Sequence, residues 1–147
     1  MTKLEARNSK LEATPAAAIA PVRDFKAPDA WKLARNLPVL TFVLLKKLPA
    51  EERFARNRQI RRAVQSIAAD IAEGFGRYSY QENIQFCRQA RGSAYEVRDQ
   101  LVSALDANLI SSAECEEADG LAQRVIQTLN GYIRSTSKRP AESRKDR

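Results

Sequence analysis

Apolar positions recur three and four residues apart through four stretches of the chain, the spacing that lines one face of a helix. The first stretch is predicted to start at Asp29 as N-cap and to end before Pro49, with Leu33, Leu37, Leu40 and Leu44 as its buried stripe. Val39, Phe42, Val43 and Leu45 make it apolar on nearly every side. A helix apolar on two sides either meets a second chain or lies deep in its own bundle. Both readings stay open here. Pro38 is expected to bend this helix or cost it a hydrogen bond.

The second stretch runs from about Ala50 to Gly74 or Gly76 and places Ile60, Val64, Ile67, Ile71 and Phe75 on one line. At about 100° per residue, Arg62, Ser66, Ala69 and Glu73 fall on the opposite side. Two small residues between an arginine and a glutamate suit contact with another chain, so these four, with Phe42 and Val43, are the expected subunit interface. The third stretch opens with Ser79 and Glu82 spaced as a capping box. Its seam is Cys87, Ala90, Ala94, Val97, Leu101 and Ala104, and Asn108 suits a left-handed C-cap. The fourth starts after Ser111 or Ser112 with Glu114, Glu116 and Glu117 near its positive end, and carries Ala118, Ala122, Val125, Leu129 and Tyr132. Short connections between the last three predict antiparallel neighbours. The fold class is therefore all-α, an up-down-up-down four-helix bundle over residues 25–134. Residues 1–24 and 135–147 read as tails, the second basic.

Composition narrows the chemistry. The 147 residues contain no histidine, which excludes Ser/His and Cys/His nucleophile pairs, His-containing zinc sites and the Glu-x-x-His di-iron sites of helical bundles. Cys87 and Cys115 are predicted to differ in height by roughly 24 Å along antiparallel helices, beyond disulfide reach. No cofactor and no metal is expected. The apolar run Leu37–Leu45 is shorter than the roughly 20 residues of a membrane span, and no leader is evident, so a cytoplasmic protein is expected.

Net charge is +7, and it is regional. Residues 1–77 carry 15 Lys or Arg against 8 acids, whereas residues 78–133 carry 4 against 8. Arg53, Arg56, Arg58, Arg61 and Arg62 form the densest run, with no acid among them. Arginine forks suit phosphates, so RNA or DNA is an expected partner, contacted by Arg53, Arg56, Arg58, Arg61 and Lys32, with Lys46 and Lys47. On a helical wheel these arginines scatter: Arg53 faces the core, Arg58 and Arg61 one flank, Arg62 the far side. Ion pairing between helices or subunits, for example Arg62 with a neighbour's Glu73, is the competing reading. A protein-binding scaffold is the alternative function. An enzyme would have to use carboxylates and arginines such as Asp70, Glu73, Glu96 and Arg62.

The run Gln59-Ile60-Arg61-Arg62-Ala63-Val64-Gln65-Ser66-Ile67-Ala68-Ala69-Asp70-Ile71-Ala72-Glu73-Gly74 resembles the signature of the bacterial four-helix-bundle family encoded in 23S rRNA intervening sequences. Phe25, Trp31, Pro49, Glu52, Phe54, Glu82, Phe86, the run Ala90–Ser93, Glu96, Leu101, Leu109, Ile110, Leu129 and Gly131 fit the same pattern. The resemblance spans Phe25 to Arg134. Asp70 stands where the family usually has Asn, Arg56-Asn57-Arg58 replaces a more neutral segment, and Pro38 is unexpected. The resemblance implies a ring-like homo-oligomer, a pentamer, with no enzymatic activity. Accessory proteins of diversity-generating retroelements resemble this architecture and bind nucleic acid and a reverse transcriptase, which implies nucleic-acid or protein partners here.

Overall fold

A computed structural model of the chain describes residues 28–138, and all of its elements are helices: α1 (Asp29–Ala34), α2 (Leu37–Leu45), α3 (Ala50–Phe75), α4 (Tyr80–Asp106) and α5 (Ser112–Ser137). The expected tail 1–24, Phe25 and residues 139–147 lie outside the described residues. Helix α5, the fourth one predicted, runs through Ser137 and buries Thr136, past the boundary expected at residue 135.

The first predicted helix is two. Proline has no amide to donate to Ala34, so the α-helical ladder stops and restarts with Pro38 in the first turn of α2. Arg35 and Asn36 make the joint, where the Asn36 amide donates to the Leu33 carbonyl at 3.1 Å. The break also shifts the phase of the apolar stripe. Leu37 and Leu44 are buried as expected, but Leu33 and Leu40 are only half-buried, and Thr41, Leu45 and Leu48 take core places. Thr41 is tolerated there because its hydroxyl donates to the Leu37 carbonyl at 2.7 Å. Asp29, expected as a cap, is instead the first helical residue, with Pro28 at the N-cap.

Helices α3 and α4 form a long antiparallel hairpin. Its core line is Ile60, Ala63, Val64, Ile67 and Ile71 against Cys87, Ala90, Ala94, Val97, Leu101 and Ala104, all buried. Alanines on α4 let the neighbouring backbones approach. The approach is close at Gly74, where an added Cβ would lie 2.9 Å from the Phe86 Cβ and 3.2 Å from the Asn83 carbonyl oxygen. Asn83 is buried at this crossing, and its amide donates to the Gly74 carbonyl at 2.8 Å. That bond occupies one of the α3 carbonyls left without a helical partner.

The remaining helix ends follow their local chemistry. Ser79 accepts from the Glu82 amide at 3.1 Å, while the Glu82 carboxylate takes the Ser79 hydroxyl at 3.3 Å, so the expected reciprocal box at this end is only half formed. The full capping box is at Ser111 and Glu114. Asn108 has φ 57°, and the amides of Asn108 and Leu109 close a Schellman turn onto the carbonyls of Leu105 and Ala104. Helix α5 then returns antiparallel to α4 and is tied to it by Arg98–Asp119 at 2.8 Å and Arg91–Asn130 at 2.8 Å. It completes the core with Cys115, Ala118, Ala122, Val125, Ile126, Leu129 and Ile133, with Tyr132 half-buried. Both cysteines are buried and free.

Two predictions come from these junctions. Gly74→Ala should destabilise the protein by about 1–3 kcal/mol, because the steric cost outweighs the helix propensity gained. Gly131→Ala in α5, where nothing lies within 4 Å of the added carbon, should stabilise by roughly 0.5–1 kcal/mol. Denaturant melts of both variants check the opposite signs. The second concerns Glu114, whose carboxyl is held down to about 2 by the Lys47 ammonium, then by the Ser111 amide and hydroxyl. A carboxyl depressed in the folded state contributes stability above its unfolded titration range, about pH 4.3, and loses it as pH falls toward 2. The melting-temperature gap between wild type and Glu114→Gln should therefore narrow from pH 5 to pH 2. A gap that stays constant would remove Glu114 from this role.

Candidate nucleic-acid interface

The first half of α3 follows the α2–α3 turn and carries the arginine run. Arg53, Asn57 and Arg61 follow one another four residues apart, so each is displaced by only about 40° around the helix. With Ala50 and Arg58 they line a depression of about 360 Å³. The helical wheel placed Arg53 against the core; the structure turns it outward. Leu48 and Ile60 already fill the core at this level, and the long arginine stem carries its head past them to solvent. There its Nη2 donates to the Leu48 carbonyl at 3.3 Å. Arg61 is held on two sides. Its Nε donates to the Asn57 Oδ1, and its guanidinium carbon sits 4.2 Å from the centre of the Phe42 ring on α2. Three of the expected phosphate contacts thus share one surface: Arg53 joins Arg58 and Arg61, which the wheel had placed on one flank.

The other cations are placed differently. Arg56 turns into the α3–α4 seam, where it binds Glu52 at 2.8 Å and Ser103 at 3.2 Å with its side chain only 19% exposed. Lys47 reaches across to Glu114 at 2.8 Å and fastens the α2–α3 turn to the start of α5. Lys46 is exposed, and Lys32 is exposed on α1, outside the depression.

The expected subunit interface divides as well. Arg62 pairs with Glu96 of its own chain at 3.0 Å, and Glu73 holds Arg77 at 2.7 Å, so neither needs the neighbour's charge proposed for it. Ser66 meets Ser93 at 2.7 Å, and Gln100 donates to Gln59 at 2.8 Å. Together with Arg56–Ser103, these contacts form a polar ladder along one edge of the hairpin. Ser66 is small because α4 passes beside it. Ala69 is exposed. Phe42 is half-buried beneath Arg61, whereas Val43 is 51% exposed and Val39, four residues earlier on the same face of α2, is 69% exposed. Val39 was not among the expected contacts, although the i, i+4 spacing with Val43 was there to be read.

The carboxylates considered for catalysis are occupied or isolated. Glu73 and Glu96 are each held by an arginine of the hairpin. Asp70 is pushed up from its ordinary value by burial and by Glu73. Among the described residues no three Cys, Asp or Glu gather where they could hold a metal ion. At the far end of the bundle an apolar cavity of about 390 Å³ is lined by Pro28, Ala30, Ile71, Phe75, Leu129 and Tyr132, with Cys87 at its wall. Burial raises the Cys87 thiol to about 11, which keeps it protonated and unreactive at neutral pH. No helix among the described residues is long and apolar enough to cross a membrane.

Comparison with known proteins places this architecture. A crystal structure from Bacteroides thetaiotaomicron, described as a protein of unknown function from the S23 ribosomal protein family, superposes with a TM-score of 0.66 at 23% identity, over 71% of this chain and 95% of that one. It shares the fold. No match is found among curated proteins. The model of the family described as 23S rRNA-intervening sequence protein matches residues 26–131, which spans the hairpin, the arginine run and most of α5. This chain belongs to the 23S rRNA-intervening sequence protein family.

Proposed function

We propose that this protein is a non-enzymatic, cytoplasmic nucleic-acid-binding bundle that works as an assembly of identical copies. One observation carries the reading. Arg53, Arg58 and Arg61 share a single exposed depression on α3 although other arginines of the same run are consumed by the hairpin. Guanidiniums gathered on one surface suit a chain of phosphates, and the family's name supports ribosomal RNA as the class of partner. Lys46 and Lys32 would extend the contact on α2 and α1.

The exposed Val39–Val43 stripe supports self-association, for which the family resemblance implies a closed ring of five. The same stripe favours a second reading, a scaffold that docks a protein partner there.

Three phosphate contacts per chain predict a slope of roughly −2 in log affinity against log salt for single strands, or about a 20-fold loss between 50 and 200 mM. Replacing Arg53, Arg58 and Arg61 together by Gln should abolish most of that slope in a fluorescence-anisotropy titration with RNA. Binding indifferent to salt, or none at micromolar protein in low salt, would end the nucleic-acid reading. For assembly, Val39→Asp with Val43→Asp should reduce the mass seen by light scattering to that of one chain while the circular dichroism spectrum stays helical. An unchanged mass with loss of a co-purifying protein, surviving nuclease treatment of the lysate, would favour the scaffold.

A further inference from the structure

The contact between Arg61 and Phe42 is more than a clasp between α2 and α3. The guanidinium carbon of Arg61 sits over the Phe42 ring, 4.2 Å from its centre, and its Nε donates to the Asn57 Oδ1. These two contacts hold a flat, weakly hydrated cation from two directions. Arg61 is exposed while Phe42 is half-buried, so the face away from the ring looks toward solvent beside the depression formed with Arg53 and Arg58. A cation needed only for charge would gain nothing from being held over an aromatic ring. A flat cation over an aromatic ring, beside two further arginines, is suited to a planar, π-rich group carried on a phosphate backbone.

We infer that Arg61, laid on Phe42, is a stacking platform for one unpaired nucleobase, with Arg58 and Arg53 placed for the flanking phosphates. The inference rests on the nucleic-acid reading above and deepens it. In a duplex both faces of every internal base are covered by its neighbours, so only a base in a single strand, loop or bulge offers a free face. The ligand class is therefore unpaired nucleic acid. The inference also reassigns Phe42: its ring supports Arg61 within one chain, and the valines beside it are left for contact with other copies.

The test uses the full chain and a short RNA as single strand and as blunt duplex of the same sequence, read by anisotropy, with a 2-aminopurine base in the single strand as a stacking reporter. Wild type should prefer the single strand and quench the reporter. Arg61→Lys keeps the charge and loses the plane. It should weaken the single strand roughly 5- to 150-fold, the range for one stacked base, and relieve the quench, with duplex affinity and salt slope unchanged. Phe42→Leu keeps an apolar side chain and should give the same result through the lost ring, while Arg58→Lys should change affinity by about twofold or less. Salt-dependent binding that treats strand and duplex alike, or that ignores Arg61→Lys, would overturn the platform and leave the wider reading standing. Absence of binding to either RNA by wild type would overturn both. Should Arg61→Lys fail to fold, wild-type quenching decides: an unquenched reporter on the bound strand refutes stacking.

Discussion

The crossing of α3 and α4 at Gly74 sets the geometry on which the rest of the molecule depends. A missing side chain on one helix and a buried Asn83 on the other bring the backbones close enough for the asparagine amide to take the Gly74 carbonyl. Few pairs of side chains satisfy that arrangement, and it holds one register. Once it is held, the antiparallel partners along the edge follow in step: Ser66 with Ser93, Arg62 with Glu96, Gln59 with Gln100 and Arg56 with Ser103. Sliding either helix by one residue would rotate each of these pairs apart and carry the alanines of α4 off the core line.

That register also decides how the arginines are used. Those whose positions on α3 turn toward α4 are neutralised within the hairpin by Glu52 and Glu96. The exposed Arg62–Glu96 pair contributes little stability, about 0–1 kcal/mol, but both pairs fix side chains and remove charge from that edge. Arginines turned toward α2 meet a different surface, an apolar helix with no acid in it. The α2 sequence from Leu37 to Leu45 supplies no carboxylate, so a guanidinium there finds an aromatic ring, a backbone carbonyl and solvent. The positive depression is thus produced as much by what α2 lacks as by what α3 contains.

Most of the bundle was legible in the sequence, and the misreadings share a cause. The α4 seam, the Asn108 turn and the acidic start of α5 depend on local spacing, and local spacing is what a sequence displays. The Ser111–Glu114 box formed as its residues suggest, whereas Ser79–Glu82 spent its carboxylate on the hydroxyl. The first helix was misread because Pro38 restarts the helix and shifts its phase, which puts Thr41 inside and Leu40 at the margin. Arg62, Ser66 and Glu73 were read as facing another chain, and the structure adds a partner for each within its own chain, because a wheel shows direction and not the neighbour. Small residues look the same whether the adjacent helix belongs to the same molecule or to another. Arg53 was misplaced because its Cα direction says little about where a stem of that length delivers its charge.

The nine residues of α2 illustrate how a short element can serve several surfaces at once. A helix this short has no stability of its own and is held by packing alone. Leu37, Thr41, Leu44 and Leu45 supply that packing on one side. Phe42 sits about 100° from Val43 and is covered by Arg61, while Val43 and Val39 share the remaining side. Core, cation and open apolar stripe therefore occupy three sectors of one cylinder. Such a helix reads as apolar all round, the pattern that suggested burial or a subunit contact, yet only one sector is fully inside. The uniform hydrophobicity of Leu37–Leu45 is better understood as three separate demands for apolar side chains, met on adjoining faces, than as a single demand for burial.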